Sequence, residues 1–312
     1  MPRIRSRRSA EPVATEIEIS SELSAPVSAD VELCYQTYGN PDDEPLLLVM
    51  GLGGPMTWWD PLLCTRLARE GFYVIRYDNR DVGRSSRSEG RVTRPMLVQA
   101  FLGRKVRAPY SVADMAGDAF GLLDHLGITA AHVAGVSMGG MIAQSMAISQ
   151  PTRVRSLVSI MSTTGRRTVG WQDPRLIPVL LAPRGTDKES YVAGARKVGL
   201  IIGSPGYPEP EESSRARAEQ TFDRGMSAAG VLRQMLAILT QPDRGRALHA
   251  LTMPAAVIHG MEDKMVHPSG GRATAQAIPG ANLLLIPGMG HDLPVELHET
   301  FADVIRRTAD KA

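Results

Sequence analysis

A serine flanked by glycines lies at residues 135–139, where the chain reads Gly-Val-Ser-Met-Gly. The apolar run Ala131–Gly135 comes directly before it, and the helix-forming run Met138–Gln150 comes directly after it. A serine at such a strand-to-helix turn adopts a strained backbone geometry that exposes its hydroxyl. The helix start also directs backbone N–H groups toward any developing negative charge. The pattern predicts that Ser137 is a nucleophile, and the alternative interpretation is a tight structural turn.

A serine hydroxyl needs a base, which in turn is oriented by an acid. His291 is the candidate base, because it lies in a loop of glycine and proline directly after the apolar run Asn282–Ile286. Asp263 is the candidate acid, because it follows the preceding apolar run, Ala255–His259. The neighbouring Glu262 is the alternative acid.

Hydrolysis through a serine also needs two backbone donors for the negatively charged oxygen that forms in the transition state. We expect one donor to be the N–H of Met138, directly after the serine. We expect the other to be the N–H of Leu52, in the glycine-rich loop after the apolar run Leu46–Met50. Gly51 and Gly53 in this loop would let the backbone approach a substrate closely. The alternative is a flexible glycine turn with no ligand.

Several apolar side chains are candidates for the substrate pocket. We assign Met56, Trp58 and Met226 to it, with core filling as the alternative for each methionine. The stretch Arg87–Pro109 is longer than a usual loop and carries the apolar patch Met96–Leu102. This patch is interpreted either as a short surface helix or as part of the pocket rim.

Strand-like and helix-like runs alternate along the chain, which predicts an α/β fold with a mainly parallel sheet and helices on both faces. The predicted strands are Glu16–Ser20, Val31–Tyr38, Leu46–Met50, Phe72–Tyr77, Ala131–Gly135, Val154–Met161, Ala255–His259 and Asn282–Ile286. The predicted helices are Trp58–Glu70, Ser111–Gly127, Met138–Gln150, Lys188–Ile201, Glu211–Asp223, Ala228–Leu239, Arg272–Ile278 and Glu296–Ala309.

The same patterns predict how the chain is divided. Residues 1–15 are interpreted as a flexible basic tail. Residues 16–162 and 250–312 form the predicted core. Residues 163–249 carry helical runs and no strong strand, so they are interpreted as a helical cap inserted between two strands of the sheet.

Charge and composition exclude several classes of function. Four of the 35 Lys and Arg residues lie in the first ten positions, so the other 31 stand against 33 Asp and Glu, a net charge of −2. A chain with this net charge has no overall positive potential to attract nucleic acid, so we expect no nucleic-acid partner. No apolar run approaches the roughly 18 residues that span a bilayer, so we also expect no membrane partner and a cytoplasmic location.

The sequence also predicts that no metal or organic cofactor is used. Two cysteines, Cys34 and Cys64, cannot form a disulfide framework or a zinc cluster. No pair of histidines has metal-ligand spacing, and neither glycine cluster carries a phosphate-binding or dinucleotide fingerprint. His259, at the end of a predicted strand, is interpreted as a packed residue rather than a catalytic one.

From about residue 20 onward the chain resembles the α/β-hydrolase family. In that family the nucleophile, the acid and the base follow one another in this order along the chain, and here the matching residues are Ser137, Asp263 and His291. Tyr77–Ser85 resembles the family's D-x-R-G-x-G-x-S loop, with Asp81 in place of the usual glycine. The stretches VIRYDNRDVGRSS, AHVAGVSMGG and IPGMGHDLP are similar to those of bacterial serine carboxylesterases related to aclacinomycin methylesterase.

One departure from the family concerns the oxyanion loop. Met50 stands where many members carry a histidine that anchors this loop. The backbone donor survives the change, but the anchoring role must be filled by other residues.

The resemblance implies a carboxylic-ester hydrolase that works through an acyl-enzyme, with a small-molecule ester as its partner and a helical cap over the site. A lactonase, a carbon–carbon bond hydrolase or a perhydrolase would keep the same three residues. A ligand receptor with vestigial activity is the alternative from another class. Ser137 argues against the dehalogenases and epoxide hydrolases, whose nucleophile is an aspartate. The sequence does not indicate an oligomeric state.

Overall fold

The computed structural model describes residues 16–176, 178 and 187–312. Eight strands form one sheet in the order β1-β2-β4-β3-β5-β6-β7-β8. The pairs β1–β2 and β2–β4 are antiparallel, and the other pairs are parallel. The strands are β1 Leu23–Pro26, β2 Glu32–Tyr38, β3 Glu44–Val49, β4 Phe72–Tyr77, β5 Ala131–Val136, β6 Val154–Ile160, β7 Ala255–Gly260 and β8 Asn282–Ile286.

Helices cover both faces of this sheet. Residues of α1 and α10 form one core with the sheet, and residues of α3 and α4 form the other. Within the described residues, no helix has the length and apolar character to cross a membrane. The helices are α1 Pro61–Arg69, α2 Arg94–Phe101, α3 Val112–His125, α4 Met138–Ser149, α5 Lys188–Ile202, α6 Glu211–Asp223, α7 Ala228–Thr240, α8 Gly245–Leu248, α9 Ser269–Ala277 and α10 His298–Ala309.

Strand β3 shows why the apolar runs become central strands. Leu47 and Val49 pack into the core beneath α3 and α4, whereas Leu46 and Leu48 pack into the core beneath α1 and α10. Successive side chains of a strand point to opposite faces, so a strand covered on both sides must be apolar throughout. The prediction of a parallel sheet with helices on both faces is confirmed.

The ends of the helices follow from local chemistry. At α3 the Ser111 side chain accepts a hydrogen bond from the Asp114 N–H, and the Asp114 carboxylate accepts one from the Ser111 N–H, so the two residues form a capping box. Helix α1 begins at Pro61, behind the cap Asp60, and not at Trp58 as predicted. Met56–Trp58 forms a separate 3-10 turn instead.

The prediction was wrong at the N-terminal edge of the sheet. Glu16–Ser20 is no strand: Ile19 makes a single antiparallel bridge to Tyr38 and is half exposed. The edge strand is β1, which pairs with β2 and contains Pro26. An edge strand tolerates proline and needs little apolar character, so the alternation rule did not detect it. Residues 1–15, predicted to be a flexible tail, lie outside the described residues.

The chain between β6 and β7, called here the β6–β7 segment (residues 163–249), contains helices α5 to α8 and no strand among its described residues. The Arg233 guanidinium of α7 contacts both oxygens of the buried Asp81 carboxylate, at 2.8 and 2.6 Å. Arg224, after α6, contacts the buried Asp78 carboxylate at 2.9 Å. Two buried ion pairs therefore join this segment to the loop that follows β4.

Asp81 also explains the departure from the glycine of the D-x-R-G-x-G-x-S loop. Its backbone has φ of 72°, in the left-handed region where glycine is favoured and aspartate is tolerated. Its carboxylate also accepts hydrogen bonds from the Tyr110 hydroxyl (2.7 Å) and the Ser88 N–H (2.9 Å). The aspartate keeps the turn and adds the anchor for Arg233.

Candidate active site

Ser137 lies between the end of β5 and the start of α4, with φ of 56° and ψ of −117°. This conformation is strained for a residue with a side chain, so the surrounding structure must impose it. The Ser137 N–H donates to the Ile160 carbonyl (2.9 Å). The Ser137 carbonyl accepts from the Ser162 hydroxyl (2.7 Å) and from the Met141 N–H (3.2 Å). These contacts hold the turn that presents the hydroxyl.

The two flanking glycines are required by close approach of the backbone. A Cβ on Gly135 would lie 2.2 Å from the Gly139 carbonyl oxygen. A Cβ on Gly139 would lie 2.0 Å from the carbonyl oxygen of Val49 in β3. Neither position has room for a side chain, so the glycines allow β5, α4 and β3 to meet at the serine.

The structure brings the three predicted side chains together, although they lie far apart along the chain. His291 Nε2 is 3.0 Å from Ser137 Oγ. His291 Nδ1 is 2.7 Å from Asp263 Oδ2. Asp263 is buried, whereas Glu262, the alternative acid, is exposed to solvent. The arrangement is one continuous chain of hydrogen bonds that ends on the serine hydroxyl.

The Asp263 carboxylate is held in its ionised form. Its Oδ1 accepts hydrogen bonds from the N–H groups of Met265 and Val266, both at 2.8 Å. Burial raises the pKa of Asp263, but the charge of His291 and hydrogen bonds from His259 and His291 outweigh burial and lower this pKa to about 2. The carboxylate therefore fixes the Nδ1–H tautomer of His291 and leaves Nε2 free to accept a proton.

His259 is fully buried, as predicted for a packed residue, and it also supports the acid. Its Nε2 lies 2.8 Å from the Val266 carbonyl oxygen and 3.3 Å from Asp263 Oδ2. Both partners are acceptors, so Nε2 carries the proton. This contact was not predicted from the sequence. The pattern that could have indicated it is the spacing of four residues between His259 and Asp263.

The predicted oxyanion loop lies against the serine. A Cβ on Gly51 would lie 3.7 Å from Ser137 Oγ. Within the described part of the chain, the N–H groups of Leu52 and Met138 donate to no acceptor. Two backbone donors without an acceptor thus belong to the two segments that meet at the serine, the loop after β3 and the start of α4.

Two side chains fill the anchoring role that Met50 cannot perform. The Asn79 amide donates to the Met50 carbonyl (2.9 Å), and the Gly53 N–H donates to Gln234 Oε1 (2.8 Å). Gln234 lies on α7, is fully buried, and also donates to the Arg80 carbonyl (2.9 Å). Sequence reasoning missed Gln234. The pattern that could have indicated its role is a polar glutamine on the buried face of an otherwise apolar helix.

A cavity of about 1480 Å³ opens over the serine. Ser137 and His291 lie on its wall, and residues of α5 and α6 line its far side. Gly51, Gly53 and Trp58 line it, as predicted. The indole N–H of Trp58 donates to the Thr221 hydroxyl of α6 at 2.9 Å.

Two of the predicted pocket residues do not line this cavity. Met56 is fully buried at the start of the 3-10 turn, and its N–H donates to the Asp78 carboxylate (2.7 Å). Met226 lies in the turn between α6 and α7 and lines a separate small pocket with Pro55 and Val82. The Met56 side chain therefore fills the core, which is the alternative given for it in the sequence analysis.

The end of α5 holds the histidine loop. The His291 N–H donates to the Ile202 carbonyl at 2.6 Å. The Asp292 carboxylate accepts from the N–H (3.2 Å) and the hydroxyl of Ser204, and the same hydroxyl accepts from the Gly290 N–H at 2.8 Å. Asp292 therefore stabilises the loop.

No group of three or more His, Cys, Asp or Glu residues suited to a metal ion occurs in the described residues.

Known proteins with a similar sequence or structure identify the family to which this fold belongs. The family model for the alpha/beta hydrolase fold matches residues 44–296. The chain belongs to the α/β-hydrolase family. It is a hydrolase whose relatives differ in the bond that they cleave.

Among these relatives, rhodomycin D methylesterase DauP of Streptomyces sp. (strain C5) is 30% identical over 299 residues, covering 88% of this chain and 94% of that protein. The putative carbamate hydrolase RutD of Caulobacter sp. (strain K31) is 27% identical, covering 86% of this chain and 92% of that protein. The enol-lactonase of Burkholderia xenovorans LB400 has the same fold, with a TM-score of 0.72 at 24% identity over 92% of this chain and 100% of that one.

We predict a pH dependence of stability that comes from Asp263. The pKa of its carboxyl falls from 3.8 to about 2 on folding, so the ionised form stabilises the fold above pH 4. This contribution is lost as the pH falls from about 4 to about 2. When the pH is lowered from 5 to 2, the free energy of unfolding measured with urea should fall by about 2 kcal/mol more for wild type than for Asp263→Asn.

The matched control is Asp42→Asn, which removes an exposed carboxylate and should follow wild type. Equal losses for wild type and Asp263→Asn would contradict the ionised, hydrogen-bonded carboxylate described above.

Proposed function

We propose that this α/β hydrolase is a serine carboxylic-ester hydrolase, with Ser137 as nucleophile, His291 as base and Asp263 as the acid that orients the base. The observation that carries the proposal is the hydrogen-bonded chain from Asp263 Oδ2 through His291 to Ser137 Oγ, with distances of 2.7 and 3.0 Å. The N–H groups of Leu52 and Met138, which donate to no acceptor among the described residues, support it further.

In the first half of the reaction, Ser137 Oγ attacks the ester carbonyl carbon while His291 Nε2 takes its proton. Asp263 stabilises the imidazolium that forms. The carbonyl oxygen becomes an oxyanion, and the N–H groups of Leu52 and Met138 stabilise it. His291 then gives its proton to the alcohol oxygen, the C–O bond breaks, and an acyl-enzyme remains.

In the second half, water replaces the alcohol. His291 Nε2 accepts a proton from the water as its oxygen attacks the acyl carbon. The second tetrahedral intermediate uses the same two backbone donors, and its collapse returns the proton to Ser137 and releases the acid. Each step uses side chains, backbone and water alone.

The size of the cavity supports a bulky substrate. A volume of about 1480 Å³ exceeds the usual 300–1,000 Å³ of small-molecule pockets. The β6–β7 segment would act as the cap that shapes this space. The similarity to rhodomycin D methylesterases favours a methyl ester of a large acid, in which the cavity holds the acyl part and the small alcohol leaves.

Replacing the nucleophile tests the proposal. Ser137→Ala should lower kcat for a p-nitrophenyl acyl ester by at least about 10⁴-fold, because no other group can form the acyl-enzyme. The control Ser149→Ala changes an exposed serine at the end of the same helix and should keep wild-type activity. A Ser137→Ala enzyme with more than about 1% of wild-type kcat would contradict the assignment.

A panel of esters then separates the alternatives. Methyl esters of bulky acids should give higher kcat/KM than esters of bulky alcohols or lactones. A single slow turnover with every ester would favour a receptor.

A further prediction concerns the position of the predicted oxyanion loop. Gln234→Met leaves the N–H of Gly53 and the carbonyl of Arg80 without partners, so the donor at Leu52 loses its fixed position. We expect kcat to fall about 10- to 100-fold, within the ~10²–10³ that removal of one oxyanion donor costs. KM should change much less, since Gln234 itself is not on the cavity wall.

Rates are to be normalised to active sites titrated by the acylation burst, so that loss of folded protein does not lower the measured kcat. Gln220→Met, at an exposed glutamine of α6, is the matched control. If Gln234→Met kept kcat within twofold of wild type, the anchoring role of Gln234 would be wrong.

A further inference from the structure

Helix α2 carries an apolar face that no part of the described chain covers. Val98, Phe101 and Leu102 are 46%, 54% and 63% exposed. Their spacing of i, i+3 and i+4 places them on one side of the helix. Leu97 and Ala100, on the other side, are buried in a small core with Leu236 of α7. The helix is thus attached by one face and offers the other to solvent.

Positive charges flank this helix on both sides along the chain. The stretch Arg87–Pro109 contains six basic residues and one acidic residue, Glu89. All six are exposed; the Arg87 guanidinium donates to the Gly83 and Gly225 carbonyls, whereas the other five side chains form no ion pair or hydrogen bond with any described residue. These five are Arg91, Arg94, Arg104, Lys105 and Arg107. We call the three apolar side chains together with these five cations the α2 patch.

The α2 patch adjoins the mouth of the cavity above Ser137. Phe101 lines both the patch and the cavity. Arg167, from the start of the β6–β7 segment, donates to the carbonyls of Phe101 and Ala100, the latter at 3.2 Å. Trp171 and Leu200 also line the cavity and are 51% and 84% exposed. The exposed apolar surface therefore reaches the entrance of the site.

We propose that the α2 patch docks on an anionic lipid surface. A short apolar helix face inserts into the headgroup region while surrounding cations bind acidic lipids, and the two contributions together give reversible attachment. Docking would place the cavity entrance at the lipid, so that an apolar ester can enter from the bilayer. This delivery step rests on the proposed ester hydrolysis, whereas the docking itself does not.

The observations favour a lipid surface over a protein partner. Three exposed apolar side chains are far fewer than a stable protein interface needs. A second copy of this chain, packed patch against patch, would bring like charges together. The expectation of no membrane partner was based on the length of apolar runs, which bears on spanning a bilayer and not on peripheral attachment.

Co-sedimentation of the full chain with vesicles tests the proposal. We expect pelleting with phosphatidylcholine vesicles that contain 30% phosphatidylglycerol, little pelleting with phosphatidylcholine alone, and release as salt is raised. Arg94→Gln/Lys105→Gln should lower the partition coefficient about 25-fold, at roughly fivefold for each cation. Val98→Ser/Leu102→Ser should lower it by at least tenfold, because the inserted surface is lost.

Two matched controls change residues outside the α2 patch. Leu62→Ser alters a leucine of α1 that is 68% exposed, and Arg246→Gln/Lys311→Gln removes two exposed cations. Both should bind vesicles nearly as wild type does.

Three results would overturn the proposal. The first is no pelleting with anionic vesicles, and the second is equal pelleting of wild type and the patch variants. The third is dimerisation in analytical ultracentrifugation that Val98→Ser/Leu102→Ser abolishes, since it would assign the face to a second copy. Hydrolysis of a water-soluble ester is measured separately, so failure of docking and failure of the proposed hydrolysis are distinguishable.

Discussion

The strained backbone of Ser137 is the constraint on which the rest of the site depends. Its φ of 56° persists because contacts from β6 and α4 hold the residue on both sides. Helix α4 begins directly after the serine, at Met138, and its second residue, Gly139, packs against the Val49 carbonyl of β3. The loop after β3 then lies next to the serine, so Ser137 and both candidate donors have their positions set by one junction of the sheet.

The β6–β7 segment joins the two loops that complete the site. Gln234 of α7 accepts from the N–H of Gly53, which holds the oxyanion loop. Ile202 and Ser204, at the end of α5, accept from the loop that carries His291. Arg233 and its partner Asp81 fix α7 to the core through a buried ion pair. A segment that only covered the cavity would need none of these contacts, so the cavity wall and the reactive groups form one connected structure.

The sequence predicted what local chemistry determines. The turn at Ser137, the placement of Asp263 and His291 after neighbouring strands, and the central strands all follow from short patterns with a direct physical cause. The anchors Gln234 and Asn79 were missed, because their partners are backbone groups of distant loops that no local pattern indicates. Met56 was misplaced for a related reason: an apolar side chain near a loop suits a core and a pocket equally, and only the tertiary structure separates them.

Covalent labelling measures the central claim, the reactivity of Ser137, most directly. A fluorophosphonate should add to the protein once, with loss of fluoride, and mass spectrometry of the peptides should place the adduct on Ser137. The reaction should slow by at least about 10³-fold in His291→Ala, because the serine then has no base to take its proton. An adduct on another residue, or labelling of Ser137 at the same rate without His291, would contradict the account.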